Sequence, residues 1–130
     1  MNITFDHQIF CRQKYGGISR YFCEIATRMA AFSGVNVRVL APFYINSYLR
    51  GVDGVPIFGF PVPQIPKTSR LLMHLNEAIS GLALRSTRPD IVHETYYGPK
   101  RFAHRGTRTV VTVYDMINEK FRHDFSATDS

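Results

Sequence analysis

Short apolar runs rich in β-branched and aromatic residues alternate along this chain with segments of helical periodicity. The runs lie at residues 3–10, 35–41, 55–60, 90–93 and 109–113. The last two lack polar/apolar alternation, which is typical of parallel strands buried on both faces. Strands separated by helices favour a parallel sheet with helices packed on both sides. The sequence therefore predicts an α/β fold with a Rossmann-like, doubly wound parallel sheet.

Two amphipathic helices are predicted between these strands. The first covers residues 18–30, where apolar residues recur at helical spacing, and Gly34 follows its end. The second begins at Thr68 or Ser69 and ends before Pro89. One face of this second helix carries the large aliphatic residues Leu71, Leu72, Leu75, Ile79 and Leu82.

The segment 42–67 differs in composition from the rest of the chain. It contains five of the seven prolines, together with Gly51, Gly54 and Gly59. Such a composition predicts a long, ordered but irregular excursion that contains one strand at residues 55–60. The excursion either shapes a cleft for an acceptor molecule or is a surface loop.

Length and charge limit the classes of function. A chain of 130 residues is the size of one domain, and its formal charge of +6 favours anionic partners such as phosphates, nucleic acid or an acidic lipid surface. The basic residues are scattered, so no specific nucleic-acid binding is expected. The tightest group consists of Lys100, Arg101, His104, Arg105 and Arg108.

Metal, redox and membrane-spanning functions are not expected. Cys11 and Cys23 have neither CxxC nor Cys/His spacing, so they are predicted to be free thiols with no metal. Residues 1–8 do not have the pattern of a signal peptide, and no apolar stretch is long enough to cross a bilayer. A soluble cytoplasmic protein is expected.

Gly16 and Gly17 stand after the first strand and open the first helix. Ligands of open parallel sheets bind beyond the carboxyl ends of the strands. Glycines let the backbone approach a ligand, and the amides of Ile18 and Ser19 point toward it, so phosphate is the expected guest. The alternative is a plain strand-to-helix turn. The third glycine of GxGxxG and a P-loop are both absent, which argues against a dinucleotide site and a nucleotide hydrolase.

Further polar and aromatic residues follow the fourth and fifth strands. His93, Glu94, Tyr96 and Tyr97 form a set suited to carbohydrate, because rings stack on sugar faces while polar groups bond hydroxyls. The alternative is a hydrogen-bonded strand end with two packing tyrosines. Asp115 follows the fifth strand and is either a cap or an active-site carboxylate.

Three segments together resemble the family 4 glycosyltransferases, especially bacterial mannosyltransferase-like members. They are residues 15–22, 89–97 and 110–117. Their order and spacing fit the family, and the similarity covers essentially the whole chain. The resemblance identifies the chain as the amino-terminal half of a two-domain GT-B enzyme.

The resemblance implies transfer of a sugar from a nucleotide diphosphate sugar, with retention of configuration and without a metal or other cofactor. Gly16, Gly17, Ile18 and Ser19 match the loop near the donor phosphates. His93, Glu94, Tyr96 and Tyr97 match an acceptor-facing segment. Tyr114 and Asp115, the predicted catalytic residues, stand where many relatives have His-Asp, and the change of His to Tyr leaves both the sugar and the role of Tyr114 open.

Residues 1–130 are therefore expected to be an incomplete GT-B half that lacks the carboxyl-terminal donor domain and is inactive alone. The expected partners are a nucleotide sugar, a glycan or lipid-linked acceptor, the missing domain, and an anionic membrane contacted peripherally at its inner face. The expected role is glycan or glycolipid biosynthesis. The alternative is a stand-alone nucleotide- or phosphate-binding Rossmann-like module without turnover.

Overall fold

The computed structural model describes residues 1–98, 101 and 103–114. Within them, five strands form one sheet in the order β3-β2-β1-β4-β5, and every neighbouring pair is parallel. In chain order the elements are β1 (Asn2–Phe5), α1 (Gln8–Arg12), α2 (Gly17–Ala30), β2 (Asn36–Tyr44), β3 (Ile57–Pro61), α3 (Ser69–Thr87), β4 (Ile91–Glu94) and β5 (Arg108–Val111). The predicted Rossmann-like α/β class is confirmed.

Helices cover both faces of the sheet, as a doubly wound fold requires. On one face, Phe22 and Ala26 of α2 pack into a core that includes Phe5 and Val39. On the other face, Leu84 of α3 packs with residues of β2 and β4. The sheet is therefore buried on both sides near its centre, which explains why its strands lack simple alternation.

The first predicted strand is too long at its carboxyl end. The run 3–10 divides into β1 and the short helix α1, which begins at Gln8. The buried carboxylate of Asp6 accepts hydrogen bonds from the Gln8 backbone and side-chain amides, at 3.2 and 2.8 Å, and so turns the chain out of the strand. Ile9 and Phe10 are fully buried in a helix as they would be in a strand. Hydrophobicity alone therefore could not separate the two.

The second predicted strand is too short, because β2 continues through Pro42 to Tyr44. Proline lacks the amide that a central strand donates. β1 pairs with β2 only as far as Val39, and the pairing with β3 shifts register between Leu40 and Phe43. Pro42 lies at this irregularity, where its missing amide leaves no ladder bond broken.

The apolar face of α3 points away from the sheet. Its buried residues are Asn76, Ser80 and Leu84. Asn76 explains this orientation, since its side chain accepts from the Phe43 amide at 2.8 Å and donates to the Phe43 carbonyl at 3.0 Å. The helix is anchored to the irregular end of β2 by these polar bonds, and most of its large aliphatic residues remain exposed.

Candidate functional site

A buried carboxylate joins the loops that follow β1 and β4. Asp6 has no exposed surface. It accepts hydrogen bonds from the Thr95 amide at 2.9 Å and the Thr95 hydroxyl at 2.6 Å, in addition to the two from Gln8. Four donors therefore converge on one side chain. This network fixes the start of α1 against the segment that carries Tyr96 and Tyr97.

Asp6 was not among the site residues predicted from the sequence. Its position in the sequence could have identified it, because an acidic residue directly after a buried strand lies at the carboxyl edge where ligands of parallel sheets bind. His7 beside it is also fully buried. Nothing in the local sequence pattern ranks either residue above other polar residues.

The Gly16 and Gly17 loop forms the amino end of α2. The Arg20 amide donates to the Gly16 carbonyl at 3.1 Å, so the amides of Gly17, Ile18 and Ser19 precede the first helical bond. No side chain caps this end, and its first turn contains no acidic residue. Gly17 is exposed. This helix end can accept an anion.

The two glycines differ in their surroundings. A Cβ on Gly16 would overlap the side-chain amide of Gln13, whereas a Cβ on Gly17 would meet nothing within 4 Å. Ser19 is buried, and its hydroxyl donates to the Gly16 carbonyl at 3.0 Å. Ser19 can therefore offer a ligand its backbone amide but not its hydroxyl in this arrangement.

His93 lies inside the protein at the end of β4. Its ring stacks on Phe5 at a centroid distance of 5.0 Å and meets the edge of Phe22 at 5.2 Å. Its Nε2 is hydrogen bonded to the Thr112 hydroxyl at 3.0 Å. Glu94 is buried as well, opposite Val111 of β5. These two members of the predicted acceptor set lie behind the surface of the carboxyl edge.

Tyrosines form that surface. Tyr97 is 44% exposed, and its hydroxyl accepts a hydrogen bond from the Tyr114 amide at 2.6 Å. The Tyr114 ring lies 5.9 Å from Tyr21 of α2 and 6.1 Å from Tyr97. The segments after β4 and β5 thus meet the first turns of α2 through aromatic rings. Asp115, predicted as the second catalytic residue, lies outside the described residues.

Burial sets the protonation of Tyr114. It raises the pKa of the phenol well above its ordinary value of 10, and the neighbouring Tyr21 and Tyr97 hydroxyls act in the same direction. Tyr114 is therefore neutral at physiological pH. Its hydroxyl is buried, so Tyr114 is suited to packing and not to acting as a base.

A cleft of about 630 Å³ lies beside this surface, between α1 and the start of α3. Arg12 lines the cleft, and its guanidinium stands 5.1 Å from the centre of the Tyr96 ring. Gln64 brings the proline-rich excursion to the same cleft. The remaining lining residues are Cys11, Ile45, Ser69, Arg70, Met73, His74 and Glu77. The predicted excursion therefore contributes to a cleft at the ligand-binding edge.

The tightest basic group of the sequence lies elsewhere. His104, Arg105 and Arg108 line a cavity of about 680 Å³ together with Arg88 and Met1, at the amino ends of β4 and β5. Lys100 of that group lies outside the described residues. Since ligands of parallel sheets bind at the carboxyl ends, this cavity is not part of the candidate site.

The described residues form no metal-binding cluster, and their two thiols are not ionised at physiological pH. Among the residues that the structure describes, no three His, Cys, Asp or Glu side chains gather as metal ligands would. Burial raises the pKa of Cys11 to about 12 and that of Cys23 to about 11. Both thiols are free and protonated at physiological pH.

We expect the protein to lose stability in mild acid. Burial lowers the pKa of His7 and of His93 below the ordinary 6.5, although the Asp6 carboxylate opposes the shift. The unfolded chain therefore binds more protons than the native state as the pH falls through 6.5. The free energy of unfolding should drop there, by at most about 1.4 kcal/mol per pH unit for each histidine.

Urea unfolding between about pH 5 and pH 8 measures this dependence. His93→Gln should flatten it, whereas His104→Gln, at an exposed position, should leave it unchanged. An identical pH dependence in His93→Gln and the parent chain would contradict the assignment to His93.

A doubly wound parallel sheet supports many unrelated functions, and comparison with known families distinguishes among them. The sequence model of Glycosyltransferase Family 4 matches residues 15–128. The chain therefore belongs to Glycosyltransferase Family 4. Neither the curated proteins nor the solved structures gave a significant match. The match includes the glycine loop, the segment after β4 and the segment after β5.

Proposed function

We propose that this chain is the acceptor-side domain of a retaining glycosyltransferase that uses a nucleotide diphosphate sugar in glycan or glycolipid synthesis. The observation that carries the proposal is the convergence of an uncapped helix end at Gly17 with the tyrosine surface of Tyr97 and Tyr114. The helix end suits a diphosphate, and the tyrosine rings suit a sugar. Tyr21 connects the two, because it belongs to α2 and contacts Tyr114.

On the donor side, the amides of Gly17, Ile18 and Ser19 would bind the diphosphate. Negative charge grows on this leaving group as the bond to the sugar breaks. Amides fixed at a helix end stabilise that charge without reorganising during the reaction. This role needs neither a metal ion nor a second cofactor, and the rest of the nucleotide would be held by the carboxyl-terminal domain that the family resemblance implies.

On the acceptor side, Tyr97 and the cleft beside Tyr96 would hold the accepting molecule. Exposed aromatic rings stack against the apolar faces of sugars. Arg12 adds a positive charge at the same place, which favours an acceptor carrying phosphate or carboxylate. His93 and Glu94 are buried beneath this surface and would hold the ends of β4 and β5 in position.

We expect this chain alone to transfer no sugar at a useful rate. Incubation with a panel of nucleotide sugars and with glycan and lipid-linked acceptors should release no nucleotide above background, since most donor contacts are proposed to lie in another domain. An enzyme that joins this chain to a donor-binding carboxyl-terminal domain of the family should release nucleotide in proportion to acceptor.

The two halves of this experiment separate the alternatives. Sustained release by the chain alone would contradict the proposed division of labour between two domains. Nucleotide binding by the chain without any turnover in the joined enzyme would favour a phosphate-binding module, the alternative that the helix end at Gly17 also suits.

A further inference from the structure

The cavity at the amino ends of β4 and β5 has the size of a small-molecule site. Its volume is about 680 Å³. We call it the amino-edge cavity, and its lining includes Arg88, Asp90, Arg105, Thr107 and Arg108. The β4 strand is four residues long, so about 10 Å separates this cavity from the carboxyl edge of the sheet. A ligand in the amino-edge cavity would therefore leave the places proposed for donor and acceptor free.

Three arginines from different elements line the amino-edge cavity. Arg88 follows α3, Arg105 lies in the turn before β5, and Arg108 begins β5. All three are exposed. In the part of the chain that the structure describes, no carboxylate lies within ion-pair distance of any of the three. Their charges are therefore available to a ligand.

Asp90 is the only acid among the described lining residues. Its Oδ2 accepts a hydrogen bond from the Asn2 amide at 2.6 Å, and its own amide donates to the Asn2 carbonyl at 2.9 Å. The carboxylate is thus held against the start of β1. Three guanidinium groups outnumber this single carboxylate, so the potential inside the cavity is positive and favours an anion.

The turn before β5 is fixed by backbone hydrogen bonds. The Thr107 amide donates to the His104 carbonyl at 3.0 Å, and Gly106 takes a φ of 95°, which favours glycine. The Arg108 amide donates to the Asp90 carbonyl at 3.3 Å. Arg105 and Arg108 are therefore carried by a turn that is joined to the neighbouring strand.

Arg88 adopts a backbone conformation that arginine rarely takes. Its φ is 40°, and its amide donates to the Leu84 carbonyl at 3.0 Å at the end of α3. Glycine or asparagine usually occupies this position after a helix, because the left-handed conformation crowds a Cβ. Arg85 already places a positive charge in the last turn, where it complements the helix dipole. A strained arginine beside a basic cavity is therefore better explained by what its side chain binds.

We propose that the amino-edge cavity binds the phosphate group of a small soluble molecule, which Arg88, Arg105 and Arg108 hold. A guanidinium group offers paired N–H donors that match the geometry of phosphate oxygens. The cavity is much larger than a phosphate ion, so the rest of the molecule occupies the remaining volume. This site is separate from the carboxyl edge, and it does not depend on a role of the chain in sugar transfer.

Titration of the whole chain with inorganic phosphate at constant ionic strength, followed by the NMR shifts of backbone amides, tests the site. The amides of Gly106 and Thr107 should shift with a saturable dependence on phosphate. Arg88→Gly with Arg105→Gln should lower the affinity at least about tenfold, because two charge-assisted contacts are lost. Arg88→Gly alone should not lower the thermal unfolding temperature, since glycine accepts a φ of 40° without strain. Arg105→Gln alone should weaken binding without any change at the end of α3.

A matched control removes the same charge from other surfaces. Arg28 and Arg50 are exposed and do not line the amino-edge cavity. Arg28→Gln with Arg50→Gln should therefore bind phosphate like the parent chain. This comparison separates the cavity from the general attraction of a basic protein for anions.

Lipid headgroups carry the same phosphate chemistry, so a second arm uses vesicles that mix phosphatidylcholine with phosphatidylglycerol. No helix in the described part of the chain is both long and apolar enough to cross a bilayer. Free phosphate should bind at the cavity whether or not vesicles are present. Vesicle binding through Arg88 and Arg105, without any shift from free phosphate, would overturn the assignment to a soluble ligand.

Two further results would overturn the proposal. The first is that phosphate shifts the amides of Gly17 and Ile18 but not those of Gly106 and Thr107, which would place the ion at the helix end alone. The second is that the control on other surfaces loses as much affinity as the variant that lacks Arg88 and Arg105.

Discussion

Gly17→Val should lower turnover a few hundredfold in the enzyme that joins this chain to a donor-binding carboxyl-terminal domain of the family, while the fold stays intact. A side chain at position 17 would stand in front of the amides of Ile18 and Ser19, where the diphosphate is proposed to bind. Loss of one or two such contacts to a developing charge costs about 3 to 4 kcal/mol in the transition state. A Cβ at this position meets nothing within 4 Å, so we expect the fold to accommodate the substitution.

Steady-state release of nucleotide measures the effect, with thermal unfolding measured alongside. Gly51→Val is the matched control, since Gly51 also has open space around its Cβ and lies in the turn after β2. The control should keep near-normal turnover. If Gly17→Val also keeps it, the two glycines form only a turn between α1 and α2 and the donor-side proposal is wrong.

Asp6→Ala should have the largest effect on stability, a loss of about 3 to 5 kcal/mol in the free energy of unfolding. The substitution leaves the amide and hydroxyl of Thr95 and both amides of Gln8 without their acceptor inside the protein. Each buried polar group left unsatisfied costs about 1 to 3 kcal/mol. Relaxation and water entry would offset part of the sum.

Urea unfolding of the purified chain measures this loss. Asp6→Asn should be less severe than Asp6→Ala, because its carbonyl oxygen can still accept from Thr95 while its amide group faces other donors. Asp53→Ala removes an exposed carboxylate and should change stability by less than about 0.5 kcal/mol. A loss below about 1 kcal/mol in Asp6→Ala would show that the network contributes little to the fold.

The general architecture was accessible from the sequence because it depends on local patterns. The apolar runs near β3, β4 and β5 predicted those strands within a few residues, and the helical spacing predicted α2 and α3. Parallel pairing followed from the alternation of strands and helices, and with it the edge of the sheet where Gly17 and Tyr97 lie.

The roles of individual side chains were less accessible. His93 was predicted to face an acceptor, and in the structure its ring stacks on Phe5 and meets the edge of Phe22 inside the protein. A strand-end histidine has the same sequence signature whether it points to solvent or into an aromatic cluster. Arg12 received no role, because its proximity to Tyr96 depends on residues far apart in the chain.

The sequence by itself determined the fold class, the edge that carries the site and the glycine loop, since each depends on periodicity or on the order of elements along the chain. Only the tertiary structure decided that residues 8–10 are helical, that Asp6 joins two loops and that the apolar face of α3 is exposed. These features depend on partners distant in sequence, namely Thr95 for Asp6 and Phe43 for Asn76. At both places long-range hydrogen bonds, and not the local hydrophobic pattern, decided the conformation. A buried polar group must be paired, and its partner lies wherever the fold brings one close.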